Sequence, residues 1–198
     1  MVCHQTYKID NTWYSPDEVS SENGKDFYLK NDSSKKVMVG ASESMSKSKK
    51  NTIDPEIMFE TYGADAVRFF ILSDSPPEKD VQWSEAGMQS SYKFIQKFWD
   101  LHNEIRDKLF LEKSKLTKDN GIDEEINIFT NQTIQKITFN LENFHYNVII
   151  ANFHEIYNFF LKNLNKIDNK ENLLSNYAKI LKIISPVVPH LSNECMDE

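Results

Sequence analysis

A mainly α fold is what this sequence predicts: a small mixed α/β segment, a polar loop, a two-helix connector and then a bundle of about four helices. Three observations carry that reading. Apolar residues recur at helical spacing from residue 84 onward. Cap and breaker signals bracket those runs. The first forty residues instead scatter short apolar clusters between turn formers, as strands and hairpins do.

Val2, Tyr7, Ile9, Trp13, Tyr14, Phe27, Tyr28, Leu29, Val37 and Val39 alternate with turn signals such as Ser15-Pro16-Asp17 and Asn23-Gly24. The segment "KKVMVG" (35–40) reads as a short strand. Asp54-Pro55 then starts a helix: a capping side chain precedes the proline favoured at the first helical position. Ile57, Met58 and Tyr62 give it an apolar face, and Gly63 suits its C-terminal cap. "ADAVRFFILS" (64–73) is a second helix, broken by Ser75-Pro76-Pro77. Its Arg68 is expected to pair with an acid such as Asp65. Ser84 caps a long helix whose stripe is Met88, Tyr92, Ile95, Trp99 and Leu109, widened by Phe94, Phe98, Leu101 and Ile105. Asp123 caps the next, with Ile126, Phe129, Thr133, Ile134, Ile137 and Leu141 on one face. Two more carry Ile149, Phe153, Ile156, Phe160 and Leu164, then Leu173, Leu174, Tyr177, Leu181 and Ile184. "PVVPHLSNE" opens another. Short polar linkers at 113–120 and 168–171 fit a helix bundle.

The chain has 198 residues and a formal net charge of −7. A globally acidic chain is a poor general nucleic-acid binder, so any RNA contact needs local basic patches. Two cysteines, Cys3 and Cys195, give no metal-ligand spacing, and no metal site is expected. With no apolar run of membrane-spanning length, the expectation is a cytoplasmic protein without a membrane partner. Five glycines are too few and too dispersed for a glycine-rich phosphate loop.

The chemistry concentrates in "SESMSKSKKN" (42–51). Lys35, Lys36, Lys47, Lys49 and Lys50 lie in a stretch with one acid, Glu43. One reading is a solvated surface loop. The other is a polyphosphate clamp: lysine is a compact, mobile cation with three donors, and serine hydroxyls and loop amides add more.

Met45-Ser46-Lys47-Ser48 resembles the Lys-Met-Ser-Lys-Ser signature of the class I aminoacyl-tRNA synthetases. Asn51 and "IDPEIMFETYGADAVRFFIL" follow as in the subgroup that activates leucine, isoleucine and valine. "SDSPPEKDVQWSEAG" looks like the bacterial leucine-specific members, and "SPVVPHLSNE" like their late helices. The resemblance implies ATP-dependent activation of leucine to an adenylate and transfer to tRNA(Leu), with ATP entering as Mg-ATP. Lys47 would be catalytic, stabilising charge on the departing pyrophosphate; Met45, Ser46, Lys47, Ser48 and Lys49 would form the ATP-binding loop. The signature's first lysine is Ser44 here. Either Lys47 acts nearly alone, or Lys49 or Lys50 substitutes, or the loop is degraded.

By the same resemblance, residues 1–52 are the end of a catalytic domain with a reduced leucine-specific insertion (roughly 12–36) and the signature loop. Residues 53–83 are connector helices, and 84–198 a truncated anticodon-binding-type bundle. The family's His-Ile-Gly-His-type motif lies upstream and does not occur here; His4, in "CHQT", is not a match. The implied partners are therefore leucine and ATP in a complete enzyme, tRNA(Leu), and an N-terminal half of that enzyme. A non-catalytic module that binds tRNA or protein, or the remnant of a split gene, is the alternative.

Overall fold

The computed structural model describes residues 1–73, 76–110 and 121–198. Ser75 of the expected helix breaker, and the linker expected over 113–120, lie outside the described residues. The chain forms two compact units, one of residues 1–61 and 78–87, the other of 62–77 and 88–198.

The first unit is built on a six-stranded sheet. Its strands are β1 (Val2–Ile9), β2 (Thr12–Tyr14), β3 (Val19–Ser20), β4 (Phe27–Leu29), β5 (Asp32–Ser44) and β6 (Val81–Gln82). The order is β2-β1-β5-β4-β3, and β6 runs parallel to β1. A two-residue turn joins β1 to β2, with Asp10 left-handed (φ 50), a conformation aspartate tolerates and tight hairpins need. Tyr7, Val19, Leu29 and Val37 form the core under this sheet, flanked by Ile9, Tyr14, Phe27 and Val39. The strand expected over 35–40 is longer than its apolar content suggests. β5 runs 13 residues, and its ladder with β1 continues to Cys3↔Ser44, so the first three residues of the "loop" are strand. Pairing with β1 satisfies its backbone even where its side chains are exposed and polar.

Gly40 sits where β5 crosses β1 at a register shift between Gln5 and Tyr7. A Cβ there would lie 2.3 Å from Thr6 Oγ1, and Thr6 is buried.

Helix α1 (Pro55–Tyr62) starts as expected: Asp54 Oδ1 accepts the Glu56 amide at 2.9 Å. Its expected apolar face is only partly used. Met58 and Tyr62 are half-buried, whereas Ile57 is exposed. Gly63 is left-handed (φ 79), and α2 (Ala64–Ser73) follows.

In the second unit α2 joins α3 (Glu85–Phe110), α4 (Ile122–Glu142), α5 (Tyr146–Asn163), α6 (Lys170–Ile184) and α7 (Pro189–Asp197). α3 starts in the first unit, where Ser84 Oγ accepts the Gly87 amide. Met88, Phe94, Phe98, Leu101 and Ile105 are its buried stripe, while Tyr92, Ile95, Trp99 and Leu109 are only half-buried. The expected face is thus rotated toward the residues first taken as its edge. α4 begins two residues early: Gly121 (φ 74) is its cap, not Asp123. Leu174, expected in the core, is exposed; Leu173 beside it is buried. One cluster joins Phe69 of α2 to Phe98, Ile126, Phe153, Phe160 and Ile180 across the helices.

Two α2 charges clamp the turn between α6 and α7. Arg68 donates to Val187 O (3.0 Å) and Pro186 O (2.7 Å). Asp65, which is buried, accepts Leu191 N–H (2.6 Å) and faces His190 Nδ1 (2.9 Å). The expected Arg68–Asp65 pair is therefore not formed. Each charge instead serves backbone groups that helix ends leave without partners: the anion at the start of α7, the cation on carbonyls just past α6.

Two outcomes test this packing. Gly40→Ala should destabilise the chain by about 1–3 kcal/mol in urea unfolding, because the buried Thr6 hydroxyl, bonded to Ala41 O, must shift to admit the methyl. His102 is 3% exposed, against Tyr177 OH (3.1 Å) and Glu198 (3.4 Å). Burial holds its pKa below the usual value, partly offset by Glu198. A depressed histidine favours folding while neutral, so its contribution is complete above about pH 6.5 and is lost as pH falls through the folded-state value. The urea midpoint should fall on acidification through that window, and His102→Gln should flatten the fall.

Candidate phosphate-binding loop

The end of β5 delivers the chain into a closed six-residue frame. Met45 N–H donates to Val2 O at 3.2 Å, the last tie to β1. Ser46 is extended (φ −148, ψ 133), and residues Lys47–Lys49 make one 3₁₀ turn. That turn is held by Lys49 N–H to Ser46 O (3.2 Å) and Lys50 N–H to Lys47 O (3.3 Å). Lys50 is left-handed (φ 51), which turns the chain back toward its start. The side chain of Asn51, 0% exposed, closes the frame. Its Oδ1 accepts Ser46 N–H at 2.8 Å, and its Nδ2 faces His4 O and Glu43 O (both 3.2 Å) and Ser44 O (3.4 Å).

The five cations of the stretch do not act as one field. Lys35 pairs with Asp32 (3.2 Å) and Lys36 with Asp26 (2.6 Å). Lys49 meets Glu43, and Lys50 lies 3.7 Å from Glu18. Glu18 is held below the usual carboxylate range, first by the Ser15 amide and also by the Ser15 hydroxyl and Lys50. Lys47 is exposed and has no acidic partner among the described residues. Beside it the Ser46 and Ser48 hydroxyls lie 2.8 Å apart. Met45 is half-buried at the loop's entry, and Ser44, at the position of the signature's first lysine, is a β5 residue opposite Cys3.

The Ser46, Lys49 and Lys50 amides are spent on closing the frame, which therefore offers one ammonium, two hydroxyls and the Lys47 and Ser48 amides. That donor set suits a phosphate chain, since every group carries or shares positive polarity. Among the described residues no cluster of three or more histidine, cysteine or acidic side chains could hold a metal. No helix among them is long and apolar enough to cross a membrane. Sequence reasoning missed the frame itself: Asn51 stood out only as part of the family resemblance, and Glu18, whose capping box with Ser15 the structure shows, was not singled out.

Comparison with known proteins gives this geometry a context. Residues 35–84 match the family described as tRNA synthetases class I (I, L, M and V). Residues 123–198 match the anticodon-binding domain of tRNA ligase. Among curated relatives, leucine–tRNA ligases of Bartonella henselae (35% identical over 98% of this chain) and Orientia tsutsugamushi (39% over 98%) are similar, covering 23% and 22% of their own lengths. The leucine–tRNA ligase of Maricaulis maris is 37% identical over 100% of the chain and 23% of its own. The chain thus spans less than a quarter of the length of these relatives. A solved structure, the ternary complex of the Agrobacterium radiobacter K84 agnB2 LeuRS with tRNA and LeuAMS, superposes with a TM-score of 0.67 at 26% identity, covering 76% of this chain and 20% of that one.

The Lys49–Glu43 pair is half-exposed on both sides. Glu43→Gln should therefore change folding stability by less than about 1 kcal/mol in denaturant unfolding, as surface pairs do.

Proposed function

The chain carries class I tRNA synthetase sequence and is related along nearly its whole length to leucine–tRNA ligases, and from that premise we propose that it is the loop-bearing portion of such a ligase. In the reaction, the carboxylate of leucine attacks the α-phosphorus of ATP. The bond to the bridging oxygen breaks, leucyl-adenylate forms and pyrophosphate leaves. Negative charge grows on the leaving group as that bond lengthens. Lys47 neutralises it. The Ser46 and Ser48 hydroxyls and the Lys47 and Ser48 amides orient the phosphate oxygens, and Met45 fixes the loop's entry. Mg²⁺ would arrive with the nucleotide and shield the same phosphates. Lys49 supplies a further cation when released from Glu43.

The observation that carries this reading is the isolation of Lys47. Four of the five cations of this basic stretch are paired locally, and the one without an acidic partner among the described residues stands at the signature's second lysine position. A mobile ammonium that engages only as charge develops lowers the barrier rather than tightening substrate binding. The second unit, whose residues 123–198 match the anticodon-binding family, is the surface offered to tRNA(Leu). An N-terminal part bearing the nucleotide-binding motif is the partner this reading requires.

Leucine-dependent ATP–pyrophosphate exchange tests the proposal. The chain alone should show none. Combined with the preceding N-terminal part of a related leucine–tRNA ligase, it should restore exchange, and Lys47→Ala should lower that rate by about 10²–10³-fold. An unchanged rate would remove Lys47 from the chemistry.

A further inference from the structure

We infer that Asn51 is a positioning residue for adenylate formation: its carboxamide fixes the backbone from which Lys47 reaches the leaving pyrophosphate. The inference rests on the phosphate role proposed for Lys47.

Asn51 is fully buried, yet it lies in a stretch that is otherwise polar and mostly exposed. Burying a carboxamide is unfavourable unless its donors and acceptor find partners. Here they do, and the partners are all backbone. The amide end faces carbonyls on two strands, His4 O of β1 and Glu43 O and Ser44 O of β5. Two N–H groups shared among three carbonyls anchor Asn51 to the sheet. The acceptor end holds Ser46 N–H at 2.8 Å. Position 46 immediately precedes Lys47, so only the torsions of Ser46 and the φ of Lys47 separate the pinned amide from the lysine's side chain.

The Ser46–Asn51 closure therefore does what the 3₁₀ turn cannot do alone. The turn sets the local shape of residues 47–49, and among the described residues Asn51 is the buried side chain that ties that shape to the sheet. The Lys47 side chain stays free while its root is fixed, which suits a group that must follow a moving phosphate from a constant origin. The ion pairs Lys49–Glu43 and Lys50–Glu18 are half-exposed and cannot substitute as a rigid tie.

A purely structural asparagine would lower stability but leave turnover per folded molecule alone. Three measurements separate the cases, made on the chain combined with the N-terminal part of a related ligase. Asn51→Ala and Asn51→Asp should lower kcat for ATP–pyrophosphate exchange by about a hundredfold, the scale of a misplaced catalytic group, with KM for leucine unchanged. The Asp variant keeps the acceptor for Ser46 but turns a carboxylate oxygen toward three carbonyls, so it breaks the anchor alone. In a Lys47→Ala background neither substitution should cost a further loss, because a positioning residue acts only through the group it positions. In the unmutated chain, the Ser46 amide should exchange slowly with solvent deuterium. Unchanged kcat in the Asn51 variants overturns the inference while leaving the role of Lys47 intact. Losses that multiply with Lys47→Ala also overturn it. A Lys47→Ala enzyme at full rate removes the underlying function instead, and the inference with it. If neither Asn51 variant folds, rapid exchange at Ser46 overturns the proposal and slow exchange supports it.

Discussion

One buried carboxamide organises the functional end of this chain. The loop it closes has no apolar side chain besides Met45 to hold it down, and backbone hydrogen bonds within a single 3₁₀ turn are weak constraints. Without a tie to the sheet, residues 46–50 would sample many conformations, and the Lys47 ammonium proposed to meet the pyrophosphate would spend little time in place. The sheet is the part of the first unit able to supply such a tie. β5 runs on past its apolar stretch and delivers the loop beside β1, where the His4, Glu43 and Ser44 carbonyls meet the Asn51 amide donor. The length of that strand and the burial of Asn51 are two sides of one arrangement.

The second unit solves a related problem with charge. A turn between two helices exposes carbonyls on one side and amides on the other. α2 brings a guanidinium to the first and a carboxylate to the second, three contacts to backbone and one to the His190 side chain. Phe69, on the same helix, packs into the aromatic cluster with Phe94 and Phe153. Short, sequence-local α2 is thereby fastened to residues more than a hundred positions away.

Much of this was legible in the sequence, and the failures share a cause. The helices, their number and most of their limits follow from apolar spacing and from Asp54, Gly63 and Ser84, which act locally. The loop's identity follows from an ordered string of residues. What periodicity could not supply was which of two adjacent stripes on α3 faces inward, because Phe94 and Tyr92, or Phe98 and Trp99, are equally apolar on paper; the partner helices decide. Arg68 was assigned to Asp65 because they are neighbours on one helix, but tertiary contacts with unsatisfied backbone outbid a surface pair. β5 was underestimated because its outer residues are polar, and the evidence for strand there is a ladder with a distant segment. Asn51 belongs to the same class: its importance lies in partners at positions 4, 43, 44 and 46, and only the fold brings them together.

The pairing of four lysines with nearby carboxylates has a further consequence, for what this face ignores. A row of bare cations would attract any polyanion, and each phosphate neutralised by one would release a counterion and add to a sequence-blind, salt-sensitive attraction. Glu43, Glu18, Asp26 and Asp32 quench that attraction in advance. What is left, among the described residues, is a point charge in a shaped frame, a geometry better suited to a compact, densely charged group than to an extended strand of singly charged ones.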